Sequence, residues 1–402
     1  MNVGERIGIG VIGVGGRGYL ACGAHRPDDG MRIVAGADVN PAAFEKFRRW
    51  YGEGLFVTDD YRRVLDHPDV DVVFVTTPDY LHEEHAVAAL EAGKDVYLEK
   101  PMAITIESCL RILRAARAGG RKLYLGHNMR HMTFVLKMKD MIDQGRIGEP
   151  KVAWTRHFVG YGGDAYFKDW HADRSKSTGL LLQKATHDID VMHWLCGGYT
   201  RRVNAMGGLT LYDRITDRHP VEERGDATFR IENWPPLAQK QLHPILDVED
   251  VSMMHMLMDN GVFGAYQQCH YTPDGWRNYT IVGTEGRIEN FGDEPGRCVV
   301  RLWNRRANYN PYGDEQYFIP VASGSHGGSD TTIVDEFVRY VRNGEKITTS
   351  AVAAYYSVAA GCAATDSLRN GGQPRDVPAL DGDLAEYFDK DLAAHAKPAA
   401  RK

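Results

Sequence analysis

The sequence predicts an α/β domain, with a parallel sheet covered by helices on both faces, followed by an α+β domain with a largely antiparallel sheet. Three observations predict it. From residue 7 to residue 125 short apolar runs alternate with helical patterns, the order of parallel strands joined by crossover helices. The first run opens into a glycine-rich turn. Beyond about residue 127 the alternation gives way to longer strand-like runs, two of them meeting at Asn260-Gly261, a hairpin signal. The domains are therefore expected over 1–126 and 127–402.

Ile7-Gly8-Ile9-Gly10-Val11-Ile12 reads as a buried strand, and Gly13-Val14-Gly15-Gly16-Arg17-Gly18 turns into a helix over 19–25. A second strand, over 32–37, ends on Asp38, about twenty residues after Gly18. This order and spacing are what a dinucleotide site requires. Gly13 permits the tight turn, Gly15 lets the backbone approach a pyrophosphate, and Gly18 lets the helix pack closely on the strand. The unpaired N–H groups of the helix then face the phosphates. Asp38 accepts hydrogen bonds from a ribose 2′-hydroxyl and repels a 2′-phosphate. The next residues, Val39 and Asn40, bring no cation, so the pattern selects NAD over NADP.

Pro41 then stands in the first turn of a helix reaching Trp50, and a short helix covers 61–65. A strand over 70–75 closes on Thr76-Thr77-Pro78, and a helix over 82–92 stops at Gly93. A strand over 95–98 ends in Glu99-Lys100-Pro101; a helix over 106–118 and a strand over 122–125 complete the alternation. Ligands of such sheets sit beyond the carboxyl ends of the strands. Asp38, Thr76 to Pro78, Glu99 to Pro101 and Gly126-His127-Asn128 are thus expected to line one crevice.

In the second domain helices are expected over 133–144, 183–195, 331–342 and 351–369, and strands over 152–158, 203–211, 248–258, 262–270 and 279–282. Residues 161–178 form an irregular segment rich in Gly, Asp, Tyr and Trp, and 213–247 a long loop or insertion. The tail from Gly371 is polar, with its last residues expected to be poorly ordered.

With 402 residues, 43% hydrophobic and 25% charged, the chain has room for two domains with substantial cores. A net charge of −6 and a pI near 6.2 argue against nucleic acid or an anionic membrane surface as partner. Cys22, Cys109, Cys196, Cys269, Cys298 and Cys362 are scattered without CxxC spacing, as buried thiols of a reducing compartment are. Met1 to Arg6 lead directly into the first strand, so no signal peptide is expected, and no apolar run is long enough to cross a bilayer. A cytoplasmic location is expected. Sixteen histidines bring no HExxH or clustered Cys/His spacing, so no metal is expected.

Gly13 to Gly18, Thr77-Pro78 with Leu81-His82, and Glu99-Lys100-Pro101 together resemble the Gfo/Idh/MocA oxidoreductase family. Gln183-Lys184-Ala185-Thr186-His187-Asp188-Ile189-Asp190 is similar to that family's second catalytic segment. Further echoes lie at 143–148, at 283–286 and in His326-Gly327-Gly328-Ser329-Asp330. The resemblance implies a Rossmann domain, then a domain whose large open sheet serves in oligomerisation as a dimer or tetramer. It implies an NAD-dependent enzyme acting on a small-molecule carbohydrate: a sugar, sugar derivative or cyclitol. The cofactor is then expected on Gly13, Gly15, Gly16, Arg17, Gly18, Asp38, Thr76, Thr77, Pro78, His82, Glu99, Lys100 and Asn128.

Lys100 and His187 are the expected catalytic groups, meeting over one nicotinamide ring. A lysine at a strand end can hydrogen-bond the reacting hydroxyl and stabilise negative charge developing on oxygen, and a nicotinamide cation nearby lowers its pKa. On a helix Gln183, His187, Asp190 and Trp194 share one face. Histidine titrates in the range useful for taking a hydroxyl proton. Where the family usually carries an aspartate four residues before this histidine, the chain has Gln183, which cannot accept a proton. The base is then His187 or Lys100, with Lys184 a further candidate.

Arg130, Arg156, His157, Tyr161, Trp170, His171, Asp173 and Arg174 are expected around the substrate, an aromatic floor with mixed polar groups. Arg156, Lys168, Arg174 and Lys176 suggest an anionic substituent; the interleaved Asp164, Asp169 and Asp173 suggest instead a solvated mixed-charge loop. Three functions fit these residues. The first is an NAD-dependent sugar or polyol dehydrogenase. The second, also found in the family, is a glycosidase using NAD for transient oxidation at C3, elimination, water addition and re-reduction. Gln183 and the polar set near His171, Lys184 and His187 motivate it. The third is a non-catalytic cofactor-binding regulator, which the presence of Lys100 and His187 disfavours.

Overall fold

The computed structural model describes residues 6–221, 223 and 225–393. The first five residues, on which the reading of the amino terminus rests, and the last residues of the tail lie outside the described residues. The chain divides into two compact units. One holds the residues up to His131, Gly324–Tyr355 and the segment from Leu380; the other holds Met132–Ser323 and Tyr356–Ala379. The first unit is thus built from three stretches, where the sequence pattern suggests one boundary after residue 126. Packing is the reason. Ile333, Phe337 and Val341, one stripe of the helix Ser329–Asn343, share a core with Ile9, Phe74, Tyr97 and Tyr124. Phe337 stands edge-on to Phe74 at 5.2 Å and to Tyr97 at 5.3 Å between ring centroids.

Among the described residues the first unit carries six strands: β1 Ile7–Ile12, β2 Met31–Ala37, β3 Phe56–Thr58, β4 Val72–Val75, β5 Asp95–Leu98 and β6 Leu123–Leu125. They pair in the order β3-β2-β1-β4-β5-β6, parallel throughout. Strand order reverses between β1 and β4, and the carboxyl ends beside such a switch point are where these sheets bind ligands. β1, β4 and β5 are buried along their whole length, as strands covered on both faces are. β3 was not foreseen, because three residues carry too little periodicity to be seen. The segment expected as a helix over 19–25 is a 3-10 helix, Arg17–Ala24.

In the second unit the described residues form a nine-stranded sheet: β7 Pro150–Val159, β8 Thr200–Gly208, β9 Val251–Met258, β10 Phe263–Cys269, β11 Gly275–Gly283, β12 Arg287–Phe291, β13 Val299–Trp303, β14 Glu315–Phe318 and β15 Arg375–Asp376. The order is β14-β13-β12-β11-β7-β10-β9-β8-β15. β7 and β10 are parallel and the other neighbours antiparallel. Gly261, at φ +86°, takes the left-handed position of the β9–β10 hairpin. β12 to β14 were not expected, since Glu289, Arg301 and Gln316 interrupt their apolar pattern.

One face of this sheet is covered by the helix Ala185–Cys196, which packs on β7 and β10 and is buried throughout. The helix expected over 183–195 is interrupted at Lys184, with a shorter turn Leu180–Gln183 before it. The other face presents Trp154, Met253 and Phe263, exposed at 50%, 51% and 62%. Among the described residues 213–247 hold short 3-10 turns and an isolated parallel bridge between Arg218 and Leu242. The burial expected of the thiols holds for Cys109, Cys196 and Cys298, but Cys22 is exposed and Cys269 and Cys362 are half-buried. No helix of the described residues is long and apolar enough to cross a membrane.

Candidate active site

At the end of β1 Gly13 takes φ +90°, which favours glycine. A Cβ there would lie 2.9 Å from the Thr76 backbone at the end of β4, and one on Gly18 would lie 2.6 Å from the Gly13 carbonyl oxygen. Both positions demand glycine for close backbone approach, whereas a Cβ on Gly16 would meet open space. The Thr76 hydroxyl donates to the Gly13 carbonyl at 2.8 Å and ties the turn to β4. The 3-10 helix begins after Gly16 without a side-chain cap, so its first N–H groups are left for a ligand. At the end of β2, Asp38 accepts the Gly15 N–H at 3.0 Å and the Asn40 N–H at 2.9 Å. A bare glycine turn, an uncapped helix start and a carboxylate fixed beside the turn at the end of β2 fit a dinucleotide.

Arg17, expected on the cofactor, is engaged inside the first unit. Its guanidinium forks onto Asp330 at 2.7 and 2.8 Å, and its Nε donates to Glu99 at 3.0 Å. Asp330 also accepts from Asn128 at 2.7 Å and from the Tyr19 hydroxyl at 2.8 Å, with His326 Nδ1 at 2.9 Å. Burial alone would raise the Asp330 pKa, but Arg17 and His326 hold it well below the usual carboxylate range. The carboxylate lies 313 residues from Arg17 in the chain, which hid the pairing from sequence reading. Glu99 is buried, and its second oxygen accepts the Lys100 N–H at 3.1 Å, orienting the backbone that carries the half-buried lysine. His82 is buried with its ring nitrogens 2.7 and 2.9 Å from the Pro101 and Thr77 carbonyl oxygens, so it joins two strand-end loops across Pro78. Asn128 Oδ1 is buried with no hydrogen-bond partner among the described residues.

The second unit carries Gln183, Lys184 and His187. Gln183 Oε1 is likewise buried and has no hydrogen-bond partner among the described residues. Lys184 Nζ donates to the Tyr161 hydroxyl at 3.1 Å. Next to His187, Asp188 anchors a buried network whose roles the sequence did not announce. Its carboxylate accepts Arg277 Nε at 3.1 Å and the Tyr266 hydroxyl at 3.1 Å, with the Tyr279 hydroxyl and with His157 Nδ1 at 3.2 Å. Burial, with Arg277 beside it, drives His157 down to about 3, so it is a neutral imidazole. His157 therefore ties the helix to β7 through Asp188.

The remaining candidates disperse. Alternation along β7 puts His157 on the covered face and Arg156 on the open one, where it meets Asn278 at 2.6 Å and Glu289 at 3.6 Å. Arg130 belongs to the first unit, buried and donating to the Thr348 carbonyl at 2.7 Å, which leaves its guanidinium inside the protein. Each cation of the irregular segment has a carboxylate: Lys168 with Asp164 at 3.6 Å, Arg174 with Asp247 at 3.0 Å, Lys176 with Asp173 at 4.0 Å. The segment is therefore one of mixed charge. Trp170 stacks on His171 at 3.7 Å between centroids, and His171 pairs with Asp169. No group of three His, Cys, Asp or Glu among the described residues is arranged to hold a metal.

Residues 7–127 match the model of an oxidoreductase family, NAD-binding Rossmann fold, and residues 139–377 match the same family's C-terminal alpha/beta domain. The chain belongs to the Gfo/Idh/MocA oxidoreductases. Its first unit carries the NAD-binding Rossmann sheet, and its cofactor is NAD. Levoglucosan dehydrogenase of Pseudarthrobacter phenanthrenivorans is 28% identical over 341 residues, 78% of this chain and 82% of that protein. Inositol 2-dehydrogenase of Salmonella typhimurium is 30% identical over 190 residues, 47% of this chain, and that match spans only about half (53%) of the relative. The solved complex of levoglucosan dehydrogenase with NADH and levoglucosan has a TM-score of 0.76 at 24% identity, covering 93% of this chain and 100% of that one. At that identity the likeness is one of fold.

Proposed function

We propose that this Gfo/Idh/MocA protein is a cytoplasmic, homo-oligomeric dehydrogenase that oxidises a secondary alcohol of an uncharged sugar, sugar derivative or cyclitol. Gln183 Oε1 carries the reading: a buried acceptor with no hydrogen-bond partner among the described residues is suited to a donor hydroxyl from outside the protein. NAD, when bound at the glycine turn and Asp38, supplies the hydride acceptor. Lys100 and His187 are assigned to the reacting hydroxyl, the ammonium stabilising negative charge as it develops on oxygen. The carboxylate partners of Lys168, Arg174 and Lys176 favour a substrate without an acidic substituent. The named activities of the levoglucosan and inositol relatives favour the same class.

The test is NADH formation at saturating NAD across levoglucosan, the inositols, neutral monosaccharides and their glycosides. Turnover of at least one is expected, with Lys100→Met lowering kcat about 100-fold or more. A panel that yields no NADH, or a Lys100→Met protein with undiminished kcat, removes the proposal.

A further inference from the structure

Lys184 places an ammonium inside the second unit at 7% exposure, and it enters none of the ion pairs with carboxylates found among the described residues. Two phenols face it instead. Its Nζ donates to the Tyr161 hydroxyl at 3.1 Å and lies 5.5 and 5.0 Å from the ring centroids of Tyr161 and Tyr166. Arg277, the cation that acts on it, has Asp188 at 3.1 Å and Asp293 at 3.6 Å as its own counter-ions. A buried ammonium without a carboxylate is unfavourable, and a phenolate beside it relieves that. One residue before the lysine stands Gln183, where an acid would have been able to take a proton.

We propose that Tyr161, held by Lys184, is the group that takes the proton from the substrate hydroxyl, in place of the carboxylate that Gln183 does not supply. The inference rests on the dehydrogenase reading above. The alcohol O–H bond breaks and its proton passes to the phenolate oxygen. The electron pair left on oxygen closes the carbonyl as the carbinol C–H pair departs as hydride to NAD. The resulting phenol returns its proton to water. In the reverse direction the phenol protonates the alkoxide.

The surroundings agree with this role. Lys184 first, then Arg277, hold Tyr161 below the ordinary tyrosine value, against burial and the charge of Asp293. Burial would lower Lys184, but the two phenols raise it, so it remains an ammonium. Tyr166 goes the other way: burial raises it despite the same lysine. His157 and His270, which also feel Lys184, are both kept neutral by burial and add no competing charge.

Tyrosines labelled with carbon-13 at the ring Cζ, followed by NMR over pH in the full-length protein with and without NAD, test the pair directly. One resonance is expected to titrate below the free-tyrosine range, to vanish in Tyr161→Phe and to move upward in Lys184→Met. On the polyol that the wild type oxidises best, Tyr161→Phe is expected to lower kcat about 100-fold with little change in KM, and to flatten the acid limb of the pH–rate profile. If no tyrosine titrates low, the pairing is wrong whatever the substrate result. A low-titrating Tyr161 with undiminished kcat in Tyr161→Phe overturns the catalytic role. A wild type that titrates as expected yet oxidises no polyol overturns the dehydrogenase reading, and this role with it.

Discussion

Asp38 is held by the backbone it helps to shape, since the oxygen that accepts the Gly15 N–H at 3.0 Å fixes the carboxylate beside the turn. Asp38→Ala is expected to weaken NADH about tenfold, or about 1.4 kcal/mol, and to erase discrimination against NADPH; fluorescence titration with both nucleotides measures it. At Asp330 the sign of the pH effect follows from its lowered pKa. Stability from such a carboxylate is fully present above its unfolded value, about 3.9, and is lost as pH falls from there toward the folded value. Asp330→Asn is therefore expected to cost roughly 2–3 kcal/mol at pH 7, with the gap to wild type closing below about pH 4, in urea unfolding at both pH values. Of these two acids, Asp38 was legible because its place after the glycine turn is a matter of local spacing. Asp330 was noticed only as part of a resemblance, because its partner Arg17 lies 313 residues away.

At the scale of elements, the helix Ala185–Cys196 is locked to β7 through Asp188 and the neutral His157. A histidine lowered to about 3 lets the unfolded chain bind a proton that the folded one does not. Its stabilising effect is complete above the unfolded value near 6.5 and declines as pH falls toward 3. His157→Gln is expected to flatten the fall in melting temperature between about pH 6.5 and pH 4, followed by calorimetry across that range. The strands β1 and β5 and the helices Tyr61–Leu65 and Ala351–Arg369 have the bounds the sequence predicts, because apolar periodicity and flanking breakers mark them locally. β12 to β14 lacked that signal: their polar positions make sense only once neighbouring strands supply the other half of each pairing.

For the whole molecule, the open face of the second sheet bears on the homo-oligomer proposed above. Trp154, Met253 and Phe263 lie on three adjacent central strands, β7, β9 and β10. Apolar side chains grouped in this way favour burial against a second copy. Light scattering on the purified protein is expected to give a dimer or tetramer, and Trp154→Lys with Phe263→Glu to shift it toward monomer; a wild-type monomer at micromolar concentration rejects this.

By itself the sequence determined the class of each unit, the dinucleotide turn, the acid at the end of β2 and the family, since all of these are written in short segments whose spacing is their chemistry. Only the tertiary structure decided that the segments around 324–355 and 380–393 complete the first unit, and that Arg17 clasps Asp330. It also decided that Arg156 and His157, neighbours in sequence, stand on opposite faces of one sheet, and that Lys184 meets Tyr161. Those outcomes depend on which distant side chain can satisfy a buried charge. A one-dimensional pattern carries no measure of that.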